Sequence, residues 1–159
     1  MNTDQGESMV EPDDLIDHLE IEFLLLADHA EAVNGKLYLM GGGWDRRAVS
    51  DFRQPQAFSV SLGVLIPWSQ TNRQIPLTVT LTDADGHSIA PPFETRIVVG
   101  RPANATPGQK LRYMLSINFQ MVLPQAGTYV VEARLSDTIS RRITFYADAV
   151  PLLGSGEGR

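Results

Sequence analysis

The stretch Leu111-Arg-Tyr-Met-Leu-Ser-Ile-Asn-Phe-Gln-Met-Val-Leu123, then Pro124-Gln-Ala-Gly-Thr128, then Tyr129-Val-Val-Glu-Ala-Arg-Leu135, decides the fold. Every second residue from Leu111 to Leu123 is large and apolar, and Arg112, Ser116, Asn118 and Gln120 lie between. A period of two turns one face of an extended chain into a core and leaves the other toward water. The five residues after it hold Pro and Gly and read as a turn. Tyr129 to Leu135 alternates again, so the segment is an antiparallel hairpin.

The pattern recurs outward from this hairpin. Phe58, Val60, Leu62, Val64 and Ile66 alternate with Ser59, Ser61 and Gly63, and Pro67 ends the run. Leu77, Val79 and Leu81 alternate with threonines and stop at Asp83-Ala-Asp-Gly86. Residues 21–33 and 36–40 flank Asn34-Gly35, a pair that accepts the positive φ of a type I′ turn. Phe93, Ile97 and Val99 share one face of a further strand, and Ile139 to Ala147 makes the last. Residues 45–56 read as irregular. The sum is an all-β chain of about eight or nine strands, and its short connections favour an antiparallel β-sandwich. A Tyr just after a Gly turn, entering a late strand, has the form of the tyrosine corner of immunoglobulin-like sandwiches. The chain has no cysteine, so "immunoglobulin-like" describes architecture only.

Charge separates the chain into parts. The net charge is −6 over 159 residues. Residues 1–20 carry seven acids and no Lys or Arg, leaving twelve acids against thirteen bases in the rest. Residues 1–19 therefore read as an acidic disordered arm, 20–149 as one near-neutral domain and 150–159 as a Gly-rich tail. A near-neutral body excludes a field that recruits nucleic acid. No apolar run reaches the roughly 20 residues of a membrane helix. The acidic start and absent cysteine point to an unexported, cytoplasmic protein.

Several residues are candidates for chemistry. Gly43-Trp-Asp-Arg46 joins a bendable backbone to a flat indole (Trp44), an acceptor (Asp45) and a bidentate donor (Arg46), a set suited to a sugar or other polar molecule. Trp68 is a second platform if the loops converge; otherwise both indoles plug the ends of the sandwich. Arg101, in the long loop 100–109, is a candidate anion donor. Asp28 shares a strand face with Leu24 and Leu26, so it either ties down the Gly41–Gly43 turn or serves as a functional carboxylate. Asp83 and Asp85 resemble the start of a calcium loop, but His87 takes the third acidic position and no Glu follows at the right spacing. Asp-x-Asp-Gly reads first as a hairpin turn. His18, His29 and His87 are scattered, no Gly-x-Ser-x-Gly elbow occurs, and no cofactor is implied.

The segments Ala27–Asp45 (ADHAEAVNGKLYLMGGGWD), Pro67–Arg73 (PWSQTNR), Asp83–Gly86, Gly100–Pro102 and Leu123–Tyr129 resemble a family of short bacterial proteins known as a domain of unknown function. The resemblance spans roughly residues 21 to 147. It implies one β-rich bacterial domain and carries no activity. Three readings follow. The first is a non-enzymatic module that contacts another protein through loops or a sheet edge, including a homodimer through that edge. The second is a small-molecule binder built on Trp44, Asp45 and Arg46 with Trp68 and Arg101. The third is an enzyme using Asp28 as a carboxylate acid or base.

Overall fold

The computed structural model describes residues 18–151; the rest of the predicted acidic arm and of the Gly-rich tail lies outside the described residues. Nine strands run in order: β1 (Glu20–Val33), β2 (Lys36–Gly42), β3 (Arg46–Val49), β4 (Gln56–Pro67), β5 (Ile75–Asp83), β6 (Phe93–Ile97), β7 (Lys110–Met121), β8 (Gly127–Leu135) and β9 (Ile139–Ala149). They form two open sheets, one ordered β2-β1-β4-β7 and the other β3-β9-β8-β5-β6. The alternating apolar rows of both sheets meet in one cluster, with Leu62, Val64, Leu123, Leu135 and Phe145 fully buried. Burial of these rows is the main stabilising term of such a fold.

The Asn34-Gly35 hairpin forms where local chemistry places it, but the expected hairpin of residues 111–123 with 129–135 does not: β7 pairs with β4 and β8 with β5 and β9, so the turn at 124–128 carries the chain from one sheet to the other. Asn34 and Gly35 hold φ 51 and 72 in the β1–β2 turn. Tyr129 enters β8 with 2 % exposure. Its hydroxyl donates to the Gln125 carbonyl at 2.6 Å and faces the Gln125 N–H at 3.3 Å, tying down the preceding turn.

Two further expectations are corrected. Residues 45–56 are not irregular throughout, because β3 occupies Arg46–Val49. The pairing is not antiparallel throughout either, since β3 runs parallel to β9, from Arg46 beside Tyr146 to Val49 beside Ala149. The chain leaves the first sheet after β2 and joins the edge of the second. Four residues of backbone pairing carry too little side-chain pattern for a period of two to stand out.

The outer face of the first sheet also departs from simple alternation. Ala27 of β1 pairs with Ser59 of β4 and with Gly42 of β2, so β1 changes neighbour there. Beyond it the β1–β2 ribbon crosses over β7, where the Ala30 carbonyl accepts from Ser116 Oγ at 2.9 Å and from Asn118 Nδ2 at 3.2 Å. Ser59 and Ser61, on the face expected to be wet, are 0 % exposed. Their hydroxyls are satisfied by Asn118 and Ser116, as buried polar groups require. Nearby, the Phe23 ring lies where a side chain at Gly63 would sit.

Candidate functional site

Trp44 follows the glycines and packs on the core edge-on to Phe58 and Phe145, with centroids 6.1 and 5.7 Å away. Its Nε1 is buried and has no hydrogen-bond partner. Beside it lies a cleft of about 240 Å³ between β1 and β9, lined by Leu24–Leu26, Gly43, Trp44, Asp45, Ile143 and Thr144.

Trp44 and Asp45 line this cleft, but Arg46 does not join them there. Asp45 is exposed, and its carbonyl takes the Tyr146 N–H at 2.8 Å. Arg46 turns to the outer face of the second sheet, where it grips Asp148 at 2.9 and 3.1 Å and lies 4.9 Å over the Tyr146 ring. The Asp148 carboxylate raises the Arg46 pKa, first by hydrogen bonding and then by charge. The guanidinium above Trp44 is that of Arg47, 5.6 Å from the ring. Adjacent strand residues point to opposite faces, so once β3 is recognised, Arg46 and Arg47 must part.

Trp68 lies at the far end of β4. Phe58, which touches Trp44, and Trp68 are separated by ten residues of extended chain, about 30 Å, so the two indoles cannot grip one small ligand. Arg101 lies 3.6 Å over the Trp68 ring. It donates to Thr71 Oγ1 at 2.8 Å and to the Trp68 carbonyl at 3.1 Å. These bonds make it a brace between two loops.

The Asp28 side chain is 69 % exposed, with Arg47 at 4.0 Å. It stands against Gly41, whose φ is 60 and where a Cβ would run into the carboxylate. It is not on the core face with Leu24 and Leu26, because β1 has already left β4 at Ala27.

Asp83, Asp85 and His87 can bring one ligand atom each within 4.8 Å of one another. The Asp83 carboxylate already accepts the Asp85 and His87 N–H groups at 2.9 and 2.8 Å. These bonds, led by that from the His87 N–H, hold its pKa below the ordinary value. The carboxylate builds the turn.

Two features had no signal in single residues. The ribbon from Glu31 to Gly43 is exposed along nearly its whole length, with Tyr38 at 56 % and Met40 at 66 % beside Val33 and Leu39. The other feature is β7, an edge of the first sheet along its twelve residues. Its core-facing Tyr113, Leu115, Phe119 and Met121 are only partly buried, whereas Phe58, Val60, Leu62, Val64 and Ile66 of neighbouring β4 are sealed.

Residues 22–148 match the Family of unknown function (DUF6941). The chain belongs to that family. No curated protein matches it. Among solved structures it is similar to the Pseudomonas fluorescens alkylpurine DNA glycosylase AlkC bound to DNA containing an abasic site analog. That match has a TM-score of 0.52 at 10 % identity, over 82 % of this chain and 30 % of that one. A β-glucuronidase from glycoside hydrolase family 2 matches with a TM-score of 0.43 at 15 % identity, over 79 % of this chain and 12 % of that one. The chain thus spans less than a third of either structure, and the first match, at 10 % identity, shows the fold alone. Among the described residues no helix is long and apolar enough to cross a membrane.

Proposed function

We propose that this DUF6941 protein is a non-enzymatic protein-interaction module of the bacterial cytoplasm, built as an immunoglobulin-like β-sandwich. The order β1-β4-β7 against β3-β9-β8-β5-β6, with a parallel β3–β9 edge and a tyrosine hydroxyl bonded four residues upstream, supports that architecture. The observation that carries the function is the exposed ribbon with Val33, Tyr38, Leu39 and Met40. A two-stranded ribbon gains little stability by itself, and an exposed apolar patch marks an interaction surface. The exposure of Asp28 and the internal pairing of Arg46 and Arg101 favour this reading over catalysis.

A photo-crosslinking amino acid at Tyr38, with Thr80 on the outer face of the second sheet as control, tests it in native cells. A discrete protein adduct at Tyr38 and none at Thr80 is expected. No adduct at Tyr38 overturns the reading.

A second reading is a small-molecule binder at the cleft beside Trp44. What favours it is that Trp44 lines the cleft and its buried Nε1 has no hydrogen-bond partner. A thermal-shift screen against sugars and organic acids tests it. A stabilising hit lost in Trp44→Phe supports the binder, and no hit removes it.

A further inference from the structure

We infer that the partner taken at this surface is a second copy of the chain, joined antiparallel through the β7 edges about a two-fold axis at Leu115. The inference rests on the interaction-module reading and names its partner.

The backbone decides which groups of β7 are free. The β4–β7 register pairs Pro67 with Lys110 and Gln56 with Met121 without a shift. Just beyond it the Trp68 N–H bonds the Gln109 carbonyl at 3.0 Å. In an antiparallel ladder, residues that exchange bonds alternate with residues that do not. Trp68–Gln109 is a bonded position, so the odd-numbered residues of β7 bond β4. The N–H and C=O groups of Lys110, Arg112, Met114, Ser116, Asn118 and Gln120 therefore aim away from it. Pro67, which has no N–H, falls opposite Lys110 at a non-bonded position, as this phase requires.

A two-fold at Leu115 sets every one of these outward groups against another: Lys110 to Gln120, Arg112 to Asn118, Met114 to Ser116. No like charges meet, and Arg112 is already held by Glu22 at 2.6 Å. On the core side, Leu111 meets Phe119, Tyr113 meets Ile117, and Leu115 meets itself. The half-covered row of β7 is thereby continued by the same row of the partner. An open edge is ordinarily blunted by Pro, a bulge or repeated Lys. Here β7 has no Pro, no register shift and one Lys. The ribbon crosses over Ser116 and Asn118, next to the axis.

The absence of cysteine makes the test clean. At a non-bonded antiparallel pair the Cα atoms lie about 4.5 Å apart, within disulfide range. Under mild oxidation Leu115→Cys is expected to form a covalent dimer. Gln120→Cys, about 30 Å from its own copy in this register, is expected not to. Light scattering after size exclusion is expected to give twice the chain mass for the unmodified protein. Met114→Pro removes an outward N–H without touching the β4 ladder and is expected to give a folded monomer, while its circular dichroism stays unchanged. A monomeric parent without a Leu115→Cys cross-link overturns the proposal, and so does a dimer cross-linked through Gln120→Cys. A Tyr38 adduct to a different protein, with a monomeric parent, overturns the self-pairing and leaves the interaction-module reading standing.

Discussion

Tyr129→Phe removes one oxygen atom and tests how the β7–β8 turn is held. The ring stacks on Phe145 at 5.4 Å and 21°, and phenylalanine keeps that contact and leaves no cavity of consequence. What is lost is the 2.6 Å bond to the Gln125 carbonyl and the 3.3 Å contact with its N–H. A net hydrogen bond contributes about 1 kcal/mol, and orphaning a buried carbonyl costs a further 1–3 kcal/mol. Gln125 is exposed, so water relieves part of the second cost, and the expected loss is about 1–2 kcal/mol. For a chain of this size that lowers Tm by roughly 3–6 °C. Urea unfolding followed by tryptophan emission gives the free energy, and the m value should not change, because the buried area is nearly the same. Hydrogen exchange at the Gln125 N–H should accelerate as well. A loss under about 0.5 kcal/mol, the range of a neutral surface change, refutes the claim that the hydroxyl holds this turn.

Three other perturbations separate parts of the structure. Gly63→Ala drives a methyl into the Phe23 ring and should cost about 1–3 kcal/mol as overpacking; Phe23→Ala in the same chain should return part of the packing strain, read by chemical denaturation. Arg101→Ala, made in a Trp44→Phe background, should red-shift Trp68 emission and cost about 1 kcal/mol of cation–π and hydrogen-bond support. Glu22 has its carboxyl held below the ordinary glutamate value, first by its hydrogen bond to Arg112 and also by that charge. A lowered folded pKa adds stability that is present above the unfolded pKa and lost as pH falls through the folded one. The acid limb of stability below about pH 4.5 should therefore flatten in Glu22→Gln.

The residues that were legible in the sequence are those whose environment is set by near neighbours. Phe58 to Ile66 and Leu77 to Leu81 announce strands because alternate side chains leave opposite faces. Asn34-Gly35 and the Asp83 turn announce reversals because their backbone and side-chain bonds close within a few residues. Tyr129 was readable for the same reason, since its partner is four residues away. At the candidate site the sequence marks Trp44 but pairs it with Arg46, where the structure sets Arg47 beside the indole, because that pairing depends on β3 lying beside β9.

By itself the sequence determined that this chain is built of strands, where most begin and end, and which side chains form the core. Only the tertiary structure decided which strands are neighbours and which edges stay open. The Ala30 carbonyl covers Ser116 from 86 residues away, and the open edge of β7 exists because no other strand among the described residues pairs beyond it. A strand's period is a property of its own backbone. Its neighbours are chosen by the packing of the whole chain, and that choice carries no local signature.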